Sequence, residues 1–113
     1  MKLSQNEVIE VYGFGSYFIG ETNSNDIDLL IIHELPKYDS CKFAIECKAQ
    51  LNLKLENCDV TILSIPEERE LSFVAISNAT LLGTATLLTQ KQDIDYIHNK
   101  IIKINSKLGS API

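Results

Sequence analysis

The segment NDIDLLII, residues 25 to 32, sets two aspartates one residue apart at the mouth of a continuous apolar run. Leu29 to Ile32 leave no polar face. A strand of that pattern is buried on both sides and belongs inside a sheet, so a strand is expected over 26 to 33. Residues i and i+2 of a strand project to the same side. Asp26 and Asp28 then project together, with Cα atoms roughly 6 to 7 Å apart. Carboxylates so placed repel, and one tends to keep its proton unless a cation is near.

The same triplet recurs as Asp93-Ile94-Asp95 and serves as an internal control. Ile94, Ile97, Ile101, Ile104 and Leu108 recur at helical spacing, so the second triplet is expected on a helix. Positions i and i+2 of a helix point to different sides. Asp93 and Asp95 are therefore expected in the first turn, favoured by the helix dipole and unable to share an ion. The isoleucine stripe reads as core, with a dimer or partner contact as the alternative. Lys100, Lys103 and Lys107 read as the solvated side of that helix.

The remaining elements follow from pattern. Residues 7 to 13 alternate and are rich in β-branched types, which predicts a strand. The chain turns at Gly13 to Ser16, with a short helical turn through Ile19 ended by Gly20 and a polar loop over 21 to 25. Asp39 or Ser40 is placed to cap a helix whose apolar face is Phe43, Cys47, Leu51 and Leu55, ending at Asn57. Residues 58 to 63 form a strand, Pro66 opens a helix with Glu67 and Glu68 in its first turn, and 80 to 83 form a short strand. Strands alternating with helices in 113 residues predict one domain, 1 to 113. Its fold class is α+β, with a small mixed sheet of about four strands and helices mainly on one face.

Charge and cysteine content narrow the function classes. The net charge is −5 and a single arginine, Arg69, stands among the basic residues. A nucleic-acid groove needs the opposite balance, so direct nucleic-acid binding is not expected. No apolar run spans a bilayer and no apolar leader opens the chain, which predicts a soluble, cytoplasmic protein without a membrane partner. Cys41, Cys47 and Cys58 lack zinc-type spacing and read as reduced, buried thiols. His33 and His98 have no partner at metal-ligand spacing and read as structural.

Upstream of the first triplet, Gly13 and Gly15 allow backbone angles closed to other residues and a close approach of a ligand. Ser16 stands where a helical turn begins, and its exposed N–H groups suit a phosphate. Tyr12, Tyr17 and Phe18 flank this turn as packing, with one of them placed to border a base. Asp59 opens the strand CDVTIL much as Asp28 opens its own. If the two strands are neighbours, Asp26, Asp28 and Asp59 form a cup of hard oxygen donors. Such a cup beside a phosphate cradle suits Mg²⁺-dependent phosphoryl or nucleotidyl transfer.

Gly15-Ser16, nine intervening residues, Asp26-x-Asp28 and a later strand-opening Asp59 together resemble the DNA-polymerase-β-type nucleotidyltransferase superfamily. The likeness is to its small prokaryotic members, the minimal nucleotidyltransferases, and covers residues 8 to 83. The resemblance implies a palm that binds ATP or another nucleoside triphosphate with Mg²⁺. Gly15 and Ser16 would hold the triphosphate, and Asp26 and Asp28 would bind both metals. Asp59 would bind the metal at the attacking hydroxyl and help take its proton. An arginine common in the family is replaced by Ile19, with Lys42 or Lys48 as substitutes. Such proteins often accompany a HEPN-domain toxin as its antitoxin, or belong to phage-defence systems, and some transfer AMP to the toxin. Two alternatives stand beside this: a non-catalytic binding module of the same fold, and a transferase acting on RNA ends.

Overall fold

The computed structural model describes residues 7–19 and 26–109, and side chains up to residue 104. The expected Gly20 stop, the loop over 21 to 25 and the side chains of Lys107 and Leu108 lie outside the described residues. The elements are β1 (Val8–Phe14), a 3-10 turn (Ser16–Ile19), β2 (Ile27–His33), α1 (Tyr38–Lys54) and β3 (Cys58–Ser64). They continue as α2 (Ile65–Leu71), α3 (Phe73–Ser77), β4 (Thr80–Thr86) and α4 (Gln90–Gly109).

The strands form one mixed sheet in the order β3-β2-β1-β4. β1 is antiparallel to β2 and β4, while β2 and β3 are parallel. A parallel pair needs a crossover, and α1 supplies it. β2 lies inside the sheet as its apolar run requires, with Leu29, Leu30 and Ile31 fully buried. Its two sides face two cores. Ile27, Leu29 and Ile31 join the large cluster with Phe43, Cys47 and Leu51 of α1 and Ile94, Ile97 and Ile101 of α4. Leu30 and Ile32 face a smaller cluster completed by Leu63, Ile65 and Phe73. The long helices therefore share one face, and the short α2 and α3 cover part of the other. Among the described residues no helix is long and apolar enough to cross a membrane.

Several boundaries differ from the sequence reading, each for a physical reason. α1 starts after Lys37 without a side-chain cap. Ser40 does not cap it because its hydroxyl is buried and donates to Glu7. α1 ends at Lys54, and Asn57 instead takes a left-handed backbone, φ 55°, that turns the chain into β3. α2 starts at Ile65, one residue before Pro66, because Ser64 and Glu67 form a capping box. A left-handed Ser72 then breaks the helix and α3 begins. β4 runs three residues past the expected end at Gly83. A Cβ on Gly83 would lie 2.8 Å from Ile97 Cγ1, so this glycine admits α4 to the sheet rather than ending the strand.

The second Asp-Ile-Asp triplet lies on a helix as expected, but only Asp93 falls in the first turn, because α4 already starts at Gln90 and Asp95 lies in the next turn. Asp93 lies in the first turn of α4 and accepts from Thr86 N–H at 3.1 Å and Thr89 Oγ1 at 2.5 Å. Asp95 points elsewhere and pairs with Lys54. Tyr17, in the 3-10 turn, donates its hydroxyl to the Ile101 carbonyl at 3.1 Å and so ties the Gly-Ser turn to α4. Tyr17→Phe removes this buried bond and keeps the ring. It is expected to lower stability by about 1 kcal/mol in urea unfolding, and an unchanged midpoint would show that the tie contributes nothing.

Candidate functional site

The site begins with register. In the parallel pair, Asp28 of β2 stands opposite Asp59 of β3, one strand spacing away. That spacing is about 4.8 Å. On its other flank Asp28 pairs with Phe14, the last residue of β1. Strand alternation puts Asp28 on the same side as Leu30 and Ile32, and Asp59 on the side of Leu63. Both acids thus face away from α1 and α4, beyond the small cluster and the edge-to-face pair of Phe14 and Phe73.

Gly15 closes the arrangement. Its φ is +82°, a left-handed conformation that disfavours any side chain. A Cβ built there would lie 2.6 Å from Asp28 Oδ2. The Gly15 backbone therefore packs directly against the Asp28 carboxylate. The 3-10 turn that starts at Ser16 follows at once, pinned by Phe18 N–H donating to the Gly15 carbonyl at 3.1 Å. Gly13 has a separate reason, because the Phe18 ring occupies the space its Cβ would take. Tyr17 and Phe18 are thus packing residues on the large-core side, as the sequence suggested.

Asp26 precedes β2 and is exposed. Ile27 N–H donates to the Asn57 carbonyl at 2.9 Å, which brings the start of β2 against the turn that leads into β3. Asp26, Asp28, Asp59 and residues 52–58 line one open cleft of about 820 Å³. Burial raises the Asp28 carboxyl above the usual carboxylate range, and the charges of Asp59 and then Asp26 raise it further. Cys58 is pushed up to about 11 by burial first, then by Asp59 and Asp28, with Lys48 opposing.

Lys48 is half-buried on α1 and does not line the cleft. Lys42 is exposed on α1. The lysine that lines the cleft is Lys54, which the sequence reading did not single out, and it pairs with Asp95. The signal for it was available only in three dimensions, since the cleft wall is the end of α1. Phe14 was also passed over, although it directly neighbours Asp28.

Three carboxylates are hard oxygen donors, the kind that hold Mg²⁺-like cations. Among the described residues, however, no three His, Cys, Asp or Glu side chains converge closely enough to enclose an ion. The fit to a divalent cation is thus one of donor chemistry and backbone register, without side-chain convergence. The close approach of Gly15 adds a backbone edge beside Asp28.

A family model described as a nucleotidyltransferase domain matches residues 2–110 of the 113 in the chain. Comparison with curated proteins and with solved structures returned no match.

The raised Asp28 carboxyl has a definite consequence for stability. A folded-state value above the unfolded one means that the native state holds this proton more tightly. Stability from this group is present at low pH and is lost as pH rises from about 4 through the raised folded value. Asp28→Asn is therefore expected to gain melting temperature relative to wild type between pH 3.5 and pH 7. A difference that shrinks over that range, in paired thermal melts, would contradict a carboxyl raised by burial and by the neighbouring acids.

Proposed function

This chain belongs to the nucleotidyltransferase domain family, and from that premise we propose that it transfers a nucleotide, AMP from ATP, onto a partner protein. The family's chemistry is nucleotidyl transfer from a nucleoside triphosphate, generally with divalent metal ions. The observation that carries the finer reading is the contact set around Asp28: Asp59 across the parallel pair, and the Gly15 backbone against its carboxylate.

In this reading Asp26, Asp28 and Asp59 would hold the divalent cations, Mg²⁺, with Asp26 and Asp28 as ligands to both and Asp59 as a ligand to one. When bound, the cations supply Lewis-acid stabilisation of the charge that develops on phosphate oxygens. Gly15 and Ser16 would hold the triphosphate, a role supported by the glycine backbone that lies beside Asp28 with no side chain of its own. Asp59 helps take the proton of the acceptor hydroxyl. The hydroxyl oxygen attacks the α-phosphorus in line, the new P–O bond forms, and pyrophosphate leaves. The cleft at these acids is open, which suits a large acceptor. The acidic balance of the chain, −5, favours a protein acceptor over an RNA end. A cytoplasmic HEPN-domain toxin, with this chain as antitoxin or defence component, is the acceptor the resemblance offers.

A second reading is supported by the lack of side-chain convergence among the described acids. It is a binding module that covers its partner without turnover. The two readings separate by co-expression with the neighbouring gene product and intact-mass analysis of that product. The transferase reading expects added AMP on the partner, lost by about 100-fold or more in Asp28→Ala and in Gly15→Val. Protection of the cell by Asp28→Ala at the wild-type level, with no added mass in either case, would favour the binding module.

A further inference from the structure

The acids mark one end of β2; a second cluster of polar side chains marks the other. From Asp28 to His33 the strand runs about 17 Å. Glu7 precedes β1, His33 closes β2, and Ser40 and Cys41 lie in the first turn of α1. Glu7, His33 and Ser40 are only 3%, 2% and 1% exposed. Neither the fold nor the nucleotidyl-transfer reading uses Cys41, and the present inference is independent of that reading.

The hydrogen bonds assign the protons. Ser40 Oγ donates to Glu7 Oε2 at 2.8 Å and accepts from Leu35 N–H at 3.2 Å. The same oxygen lies 2.8 Å from His33 Nδ1. A serine hydroxyl has one hydrogen, and here Glu7 takes it. His33 Nδ1 must then be the donor, so the ring proton sits on Nδ1. In a neutral imidazole the other nitrogen is a bare acceptor. That nitrogen, Nε2, faces Cys41 Sγ at 3.9 Å. Cys41 is a partly exposed residue, and its thiol lies against a buried base.

We propose that Cys41 is a modification site, a thiol that His33 activates toward small disulfides. The thiolate is the reactive form of cysteine, and an adjacent base generates it. The Cys41 thiol proton passes to His33 Nε2. Cys41 Sγ attacks one sulfur of the disulfide, a new S–S bond forms and the old one breaks. The departing thiolate recovers the proton from Nε2. Cys41 is oxidised to the mixed disulfide, and the small disulfide is reduced to one thiol. During the step the positive imidazolium keeps its Nδ1–H on Ser40 Oγ, whose own hydrogen points at the Glu7 carboxylate. This relay holds the ring in place and stabilises its charge.

The other two cysteines are controls within the same chain. Cys47 is fully buried and its thiol is pushed up to about 12, by burial first and then by Glu46 and Asp93. Cys58, also partly exposed, is pushed up to about 11 for the reasons already given. Exposure alone would make Cys41 and Cys58 comparable, whereas activation by His33 singles out Cys41.

The test is timed alkylation of the full chain with iodoacetamide at pH 7, read at each cysteine by peptide mass spectrometry. An unstructured cysteine peptide sets the reference rate, and glutathione disulfide serves as the second probe. Cys41 is expected to alkylate about ten-fold faster than the peptide and ahead of Cys58 and Cys47. It is also expected to take the glutathione adduct. His33→Asn keeps an N–H donor for Ser40 and removes the base, and should return Cys41 to the peptide rate. Reaction of Cys41 at or below the peptide rate overturns the proposal, as does an unchanged rate in a folded His33→Asn protein. The wild-type comparison decides alone if that variant does not fold.

Discussion

The parallel pairing of β2 with β3 is the constraint on which the rest depends. Leu29 to Ile32 must be buried on both faces, so β2 has to lie inside the sheet and its register is tightly fixed. A slip of one residue would send Asp28 toward α1 and α4 and place Leu29 on the side of the cleft. Burying a lone carboxylate in that core would cost several kcal/mol. Hydrophobic burial thus sets Asp28 opposite Asp59 without any favourable contact between the two acids. The repulsion that results is tolerated because the core has already decided the register. Gly15 then allows the backbone to close on the Asp28 carboxylate where a side chain would be excluded.

The sheet is polar at both ends of β2 for opposite reasons. At its start, burial and the neighbouring acids Asp59 and Asp26 raise the Asp28 carboxyl. At its end, Glu7, Ser40 and His33 satisfy one another almost wholly out of water. Buried polar groups persist when each donor has an acceptor, and this cluster meets that condition. The first end is an open cleft. At the second, Glu7, His33 and Ser40 are buried and Cys41 is partly exposed.

Much of this was legible in the sequence wherever one local pattern decided the outcome. The apolar run of β2, the helical stripe of α4 and the contrast between the two Asp-Ile-Asp triplets all carried through. Asp93 and Asp95 take separate partners, as a helix requires, whereas Asp28 gained the neighbouring acid that a parallel strand could give it. What escaped was anything settled by contacts across the chain. Ser40 looked like a helix cap and instead serves Glu7, which lies 33 residues away. Gly83 looked like the end of a strand and instead makes room for Ile97. All three cysteines looked buried, yet Cys41 and Cys58 are partly exposed. Lys54 reaches the cleft only because the end of α1 forms its wall.

The central proposal is that strand register sets Asp28 and Asp59 side by side to bind a cation. The direct measurement is the thermal midpoint of wild type and of Asp59→Asn during a Mg²⁺ titration without nucleotide. A ligand that binds only the native state stabilises it by about 2.7 kcal/mol at a hundred-fold excess over Kd. The account predicts a wild-type midpoint that rises with Mg²⁺ and a much smaller rise in Asp59→Asn. Equal rises in both proteins, or none in wild type, would contradict it.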